Sequence, residues 1–274
     1  MQQFARILID HVALPVIVID GTPFDLRPLV ADITPAAIAS GVLDNVDTSA
    51  LASIKGPYDY LAPIDGVRQF AATGFNYRKH IEEFKMVPPT EPEVFLKAMS
   101  SITGPNDPVS RGPNPGTKLD WEVELAIVIG REARDIAAAD AQDYIFGYVC
   151  INDISDRATQ VDSLGGQHLV RAKSRAGYSP IGPYLVTGVD GANLDLWTKL
   201  NGHVEQQGNT SDMLFSISEM LAYFSKHMTL LPGDILATGT PPGVGFGKNK
   251  FMKPGDVLEC GIEHLGAQRH VILV

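Results

Sequence analysis

From Val67 onward the chain is cut into short runs of β-branched and aromatic residues, closed again and again by proline or glycine. Runs of this kind suit a pleated, partly buried surface, and the residues between them end helices and central strands alike. With 26 Gly and 19 Pro in 274 residues there is little room for long helices, so a mainly β architecture is expected. One helix stands out. Ser216 and Glu219 have capping-box spacing, and Ile217, Met220, Leu221, Phe224 and Met228 share a stripe that a helix would turn into the core. The segments Pro232-Gly233-Asp234-Ile235-Leu236-Ala237-Thr238-Gly239 and Pro254-Gly255-Asp256-Val257-Leu258-Glu259-Cys260-Gly261 echo each other. Recurrent turn chemistry explains the echo, and it favours a folded-over β-roll over an alternating α/β sheet.

Residues 1–65 read as a small N-terminal α/β unit and 66–274 as the main domain. Phe4 to Asp10 and Ala13 to Asp20 are strand-like, the second closed by Asp20-Gly21-Thr22-Pro23, and a short helix is expected around Thr34 to Ser40. The turn-rich stretch from Ile54 to Pro63 is the candidate linker.

Acidic residues outnumber basic ones by 32 to 22, for a formal net charge of −10. Such a surface lacks the basic patches that displace counterions, so neither nucleic acid nor an anionic membrane is an expected partner. No apolar run reaches the roughly 18 residues of a membrane span. The N-terminus has no basic n-region or small-residue cleavage site. Cys150 and Cys260, both inside apolar runs, read as buried free thiols in a reducing cytoplasm, the expected location. The glycine-rich stretch Gly239 to Lys248 is not a phosphate loop, because Pro242 stands where the first glycine belongs and Asn249 replaces the magnesium-binding Ser/Thr. Zinc-protease, dithiol and hydrolase-elbow motifs do not occur.

The informative segment is Asp120-Trp121-Glu122-Val123-Glu124-Leu125-Ala126-Ile127-Val128-Ile129-Gly130. On a strand, Trp121, Val123, Leu125, Ile127 and Ile129 share one face, and Glu122 and Glu124 sit on the other, about 6–7 Å apart. Adjacent carboxylates repel unless a cation neutralises them or one keeps its proton. A hard divalent ion would satisfy them, and a solvated face with two unpaired acids would have the same sequence. A second apolar strand, Tyr144 to Asn152, ends in Asp153, which at a buried strand mouth needs a partner.

Six segments occur in the order seen in the fumarylacetoacetate hydrolase family: Gly74-Phe75-Asn76-Tyr77-Arg78-Lys79-His80, Phe95-Leu96-Lys97, Glu122-Val123-Glu124, Asn152-Asp153, Ile181-Gly182-Pro183 and Leu236-Ala237-Thr238-Gly239-Thr240-Pro241. The chain resembles that family over about residues 65–274. The resemblance implies an α+β, mainly β fold: a mixed β-roll or β-sandwich with flanking helices and a small N-terminal unit, commonly a homodimer. It implies that Glu122, Glu124 and Asp153 bind Mg²⁺, with Mn²⁺ as the substitute. His80 and Glu83 match the pair that orients and deprotonates water in members with a mobile lid, although Glu82 is equally placed by sequence. Lys97, Arg157, Gln160 and Lys173 resemble the polar cluster around substrate, Tyr77 falls in the first motif as a substrate contact, and Thr240 resembles the contact to the substrate carboxylate. The sequence departs from the family at Ala176-Gly177, where relatives carry a polar pair, leaving Arg175 as an extra charge.

The activity implied is metal-dependent hydrolysis of a C–C bond in an acylpyruvate or related β-diketo 2-oxo acid, a small-molecule substrate. Decarboxylation of an oxaloacetate-like acid or isomerisation of a 2-hydroxydienoate would use the same metal-stabilised enolate, and a binding protein that kept the fold would use neither. The His80–Glu83 pair favours hydrolysis. All of this requires that the three acids converge and that no Lys or Arg of its own neutralises each of them.

Overall fold

The structure, a computed structural model, describes residues 1–161 and 168–274. The helices are α1 (Pro35–Ala39), α2 (Arg78–Glu83), α3 (Arg157–Gln160), α4 (Leu169–Lys173), α5 (Ile217–His227) and α6 (Gly245–Lys248). Among the described residues, α5 is the one α-helix that exceeds two turns. Its N-terminus is the expected capping box, with Ser216 and Glu219 bonding reciprocally, and Ile217, Met220, Leu221 and Phe224 are buried. The chain is otherwise mainly strands joined by turns, an α+β protein with β dominant.

The larger sheet runs Thr22–Asp25, Val12–Ile19, Gln2–Ile9, Ser179–Thr187, Ile145–Asn152, Val123–Ile129, Ile235–Ala237, Phe70–Ala72, Phe95–Leu96. Neighbours along this order are antiparallel except Ile235–Ala237 with Phe70–Ala72. A second sheet runs His203–Asn209, Asp195–Leu200, Val257–Ile262, Gly266–Leu273, Val109–Ser110. The echoed segments open strands in different sheets yet share one turn: Asp234 accepts from the Leu231 amide and Asp256 from the Lys253 amide, each at 2.7 Å.

The first 65 residues are docked into the larger sheet. Gln2–Ile9 pairs with Ser179–Thr187, and Phe4, Ile17 and Leu26 share a core with Phe70, Val149 and Ile181. The turn-rich segment also joins the sheet, since Tyr60 pairs with Ile7. The expected short helix forms as α1, capped by Thr34.

Val123–Ile129 is buried at every position because it is central and covered on both faces. Val123, Leu125, Ile127 and Ile129 pack towards α5, whereas Ala126 and Val128 face the core shared with the N-terminal strands. The expected single apolar face is corrected at Trp121. Strand geometry lapses at Trp121 and Glu122, and the indole joins a separate cluster with Leu119, Met252 and Leu258. Cys150 and Cys260 are free and buried. No helix among the described residues is long and apolar enough to cross a membrane.

Close strand approach sets one strict requirement. A Cβ at Gly147, in Ile145–Asn152, would lie 2.4 Å from the Val186 carbonyl oxygen. Gly147→Ala should therefore force the two strands apart and destabilise the protein by about 1–3 kcal/mol, read as a lower urea midpoint at unchanged slope. An unchanged midpoint would contradict this packing.

Candidate active site

Strand alternation and strand pairing together bring the acids into one place. Glu122 and Glu124 are two residues apart, and the register pairs Val123 with Asn152, so Asp153 follows beside Glu122. The Asp153 amide donates to the Glu122 carbonyl at 2.8 Å, and Asn152 Oδ1 accepts from the Glu122 amide at 3.0 Å. These bonds hold the backbone where regular strand geometry has ended. One carboxylate oxygen from each of Glu122, Glu124 and Asp153 lies within 4.8 Å of the others, and all three residues are buried. They converge.

Basic side chains reach this cluster from three directions. Lys173, at the end of α4, bridges Glu122 and Asp153, donating to Asp153 Oδ2 at 2.6 Å. Arg157, at the start of α3, donates to the other Glu122 oxygen, and Lys97 to the other Asp153 oxygen. Among the described residues, Glu124 has no basic side chain bonded to it and accepts only from the Gly239 amide, at 2.9 Å. Burial alone would raise both glutamates. Arg157 and Lys173 overcome it at Glu122, whose carboxyl is held far below the usual range, whereas repulsion from Asp153 and Glu122 adds to it at Glu124 and drives that carboxyl well up. Burial lowers the Lys97 ammonium; at Lys173 it is outweighed by Asp153 and Glu122, which raise it. Hard, anionic oxygen donors with one uncompensated carboxylate fit a divalent cation such as Mg²⁺ or Mn²⁺, and they suit no soft metal.

Glu122 and Glu124 of the triad border a cavity of about 230 Å³ whose wall also includes Arg157, Gln160, Lys173, Thr240 and, from α2, His80. His80 Nδ1 lies 3.0 Å from Glu83 Oε2, so the partner is Glu83 and not Glu82. The imidazole stacks on Phe75, with ring centroids 5.6 Å apart, and meets Phe84 edge-on at 5.1 Å. Glu83 also accepts from the Gly243 amide at 3.1 Å, and Phe84 stacks on Phe246, which docks α2 against the loop leading into α6. Burial works against the Glu83 carboxylate, but the bonds from His80 and Gly243 bring it below its ordinary value.

Two expected substrate contacts are corrected. Tyr77 is fully buried in the core next to the site and does not line the cavity, because the N-terminal end of α2 turns it inward. Lys97 is likewise behind the wall, held by Asp153 and the Tyr178 carbonyl. Thr240 does line the cavity, but its hydroxyl donates to the Val123 carbonyl and accepts from Gln206, both at 2.8 Å. Arg175 borders a separate surface cavity with Arg111 and Asp156.

Asp120 is the residue that sequence reasoning left without a role. It is fully buried and accepts from Arg157 Nε at 2.8 Å and from the Gly245 and Phe246 amides at 2.7 and 3.0 Å. One carboxylate thus aims the arginine and pins the loop that receives α2. Asp120, Glu122 and Glu124 recur at every second position, a signal that was available in the sequence.

The comparisons with known proteins agree with this geometry. A family profile described as Fumarylacetoacetate (FAA) hydrolase C-terminal matches residues 69–273. The chain belongs to the fumarylacetoacetate hydrolase family. It is 40% identical over 259 residues to a 2,4-didehydro-3-deoxy-L-rhamnonate hydrolase from Sphingomonas sp. (strain SKA58), covering 92% of this chain and 89% of that protein. Its structure matches fumarylacetoacetate hydrolase (EaFAH) from psychrophilic Exiguobacterium antarcticum with a TM-score of 0.90 at 34% identity over 100% of each chain. It also matches maleylpyruvate hydrolase from Sphingobium sp. SYK-6, solved with manganese (II) ion and pyruvate, with a TM-score of 0.83 at 28% identity over 99% of this chain and 98% of that one. Like other members of the fumarylacetoacetate hydrolase family, the chain is an enzyme of small-molecule chemistry.

Two outcomes follow from these contacts. Removing the carboxylate in Asp120→Ala leaves Arg157 half-paired and takes the acceptor from three amides, those of Trp121, Gly245 and Phe246, and should cost about 3–5 kcal/mol in urea unfolding. The second concerns pH. Because Glu83 is depressed in the folded state, its contribution is fully present above the ordinary value of 4.5 and is lost as pH falls through the lower folded value. The stability gap between wild type and Glu83→Gln should be constant near neutrality and close on acidification below that point; a gap independent of pH would contradict it.

Proposed function

We propose that this enzyme is a divalent-metal-dependent hydrolase that cleaves an acylpyruvate, a 2,4-dioxo acid, into a carboxylate and pyruvate. The observation that carries the proposal is a single cavity walled on one side by Glu122 and Glu124 of the acid triad and on another by the His80–Glu83 pair. Two relatives support it. The substrate named for the Sphingomonas enzyme is itself a 2,4-dioxo acid by its didehydro positions, and the Sphingobium structure holds Mn²⁺ with pyruvate, the expected product.

Glu122, Glu124 and Asp153 would hold the cation, which when bound supplies Lewis-acid stabilisation of enolate charge. The chain's own groups do the rest. With Nδ1–H directed at Glu83, His80 carries its free lone pair on Nε2, the atom that takes a proton from water. Hydroxide adds to the carbonyl remote from the carboxylate. The bond from that carbon to the methylene then breaks, its electron pair passes into the pyruvate enolate, and protonation at carbon gives pyruvate. Arg157 and Lys173, fixed by their carboxylates, offset the charge that develops, an effect of about 2.7–4 kcal/mol per well-placed donor. Phe75, Phe84 and Phe246 keep the imidazole side dry and the base in one orientation.

The test is a panel of acylpyruvates with Mg²⁺ or Mn²⁺, monitored by pyruvate release. Hydrolysis is expected, with kcat falling about 10²–10⁴-fold in His80→Ala. Oxaloacetate turnover without acylpyruvate cleavage, or a His80→Ala enzyme as fast as wild type, would contradict the proposal and favour a lyase.

A further inference from the structure

One carboxylate in the cavity is used by neither the acid triad nor the His80–Glu83 pair. Glu93, just before Phe95–Leu96, lines the site cavity together with Gly74, Phe95 and Lys173. With Phe95 and Leu169 it also lines a second, more open cavity of about 420 Å³, so it stands where the site opens outward. Its place in the wall depends on Gly74, where a Cβ would lie 2.7 Å from Glu93 Oε2. Among the described residues Glu93 has no hydrogen-bond or ion-pair partner. Burial raises its carboxyl, and Lys173 acts in the opposite sense. Arg171 borders the outer cavity and not the inner one.

The basic groups of the site, Arg157 and Lys173, are gathered at the acid triad, where the 2-oxo carboxylate end of a substrate belongs. The acyl end is then left to the remaining wall, which is apolar at Phe95, Val161 and Leu169 and carries one carboxylate. A carboxylate only accepts hydrogen bonds. It favours a hydroxyl on the incoming group and opposes a second negative charge there, so one side chain supplies both the attractive and the repulsive element of specificity. We infer that Glu93 is a specificity-determining residue that selects acylpyruvates with an uncharged, hydroxylated acyl end and rejects those with a carboxylate at that end. This rests on the acylpyruvate reading above and narrows it to one substrate class.

The experiment compares kcat/KM for 5-hydroxy-2,4-dioxohexanoate and 2,4-dioxoheptanedioate, with acetylpyruvate as the neutral reference, in wild type, Glu93→Gln and Glu93→Lys. The ratio between two substrates on one preparation is independent of how much of a variant folds. Wild type should prefer the hydroxylated substrate to the dioate. Glu93→Gln should shrink that ratio about tenfold, mainly through KM for the dioate, and Glu93→Lys should reverse it. Equal wild-type values for the two, or a ratio unchanged in both variants, would overturn the inference while acetylpyruvate cleavage left the hydrolase reading standing. Failure of wild type to cleave any of the three would overturn both.

Discussion

Four carboxylates, those of Asp120, Glu122, Glu124 and Asp153, are buried together and bonded by three basic side chains, Lys97, Arg157 and Lys173. Desolvating that many charges is costly, and the ion pairs offset the cost only where geometry is tight and the remaining oxygens find donors. Three of the acids reach that condition. Glu124, with a single backbone amide, does not. A carboxyl that burial and its acidic neighbours keep from ionising until a cation arrives, at one point of an otherwise compensated network, is what makes the site a receptor for a cation, while Asn152, Gly239 and Asp120 hold the surrounding backbone.

The β architecture is the means of building that network. An isolated strand can place Glu122 and Glu124 on one side, but only pairing with Ile145–Asn152 adds Asp153, and only a sheet covered on both faces keeps water away from all three. The apolar burial of Leu125, Ile127 and Ile129 against α5, at about 1.5–3 kcal/mol for each fully buried side chain, is therefore also what holds the charged end in register. On the opposite wall the same economy recurs on a smaller scale. Glu83 orients His80 and accepts the Gly243 amide, so the base and its covering loop are held by one carboxylate.

Local patterns carried much of this. The first hairpin, α1, the capping box of α5 and the two echoed turns all depend on residues within a few positions of each other, and they formed where the periodicity and capping residues indicated. The period-2 spacing of Glu122 and Glu124 was likewise readable, and the resemblance to a family supplied Asp153, which no local pattern could join to them. Trp121, Tyr77 and Lys97 were misread for a shared reason. Each side chain's direction is set by a non-local partner: the Gly243 carbonyl for the indole, the core for the phenol, Asp153 and the Tyr178 carbonyl for the ammonium. The period-2 recurrence of Asp120 was visible but its role was not, and Glu93 gave no sequence signal, because the importance of both lies in what folds against them, the first turn of α6 and the bare backbone of Gly74. The N-terminal unit looked separable because its own strands are local, while its pairing to Ser179–Thr187 spans most of the chain.

The central claim is that these acids form one cation site completed by Glu124. Titration of Mn²⁺ into the purified protein, followed by the loss of its free electron paramagnetic signal, measures this without reference to turnover. One tightly held ion per chain in wild type, lost in Glu124→Gln while that variant keeps its folded circular dichroism, is the result expected; no bound ion in wild type, or undiminished binding in the folded variant, would contradict it.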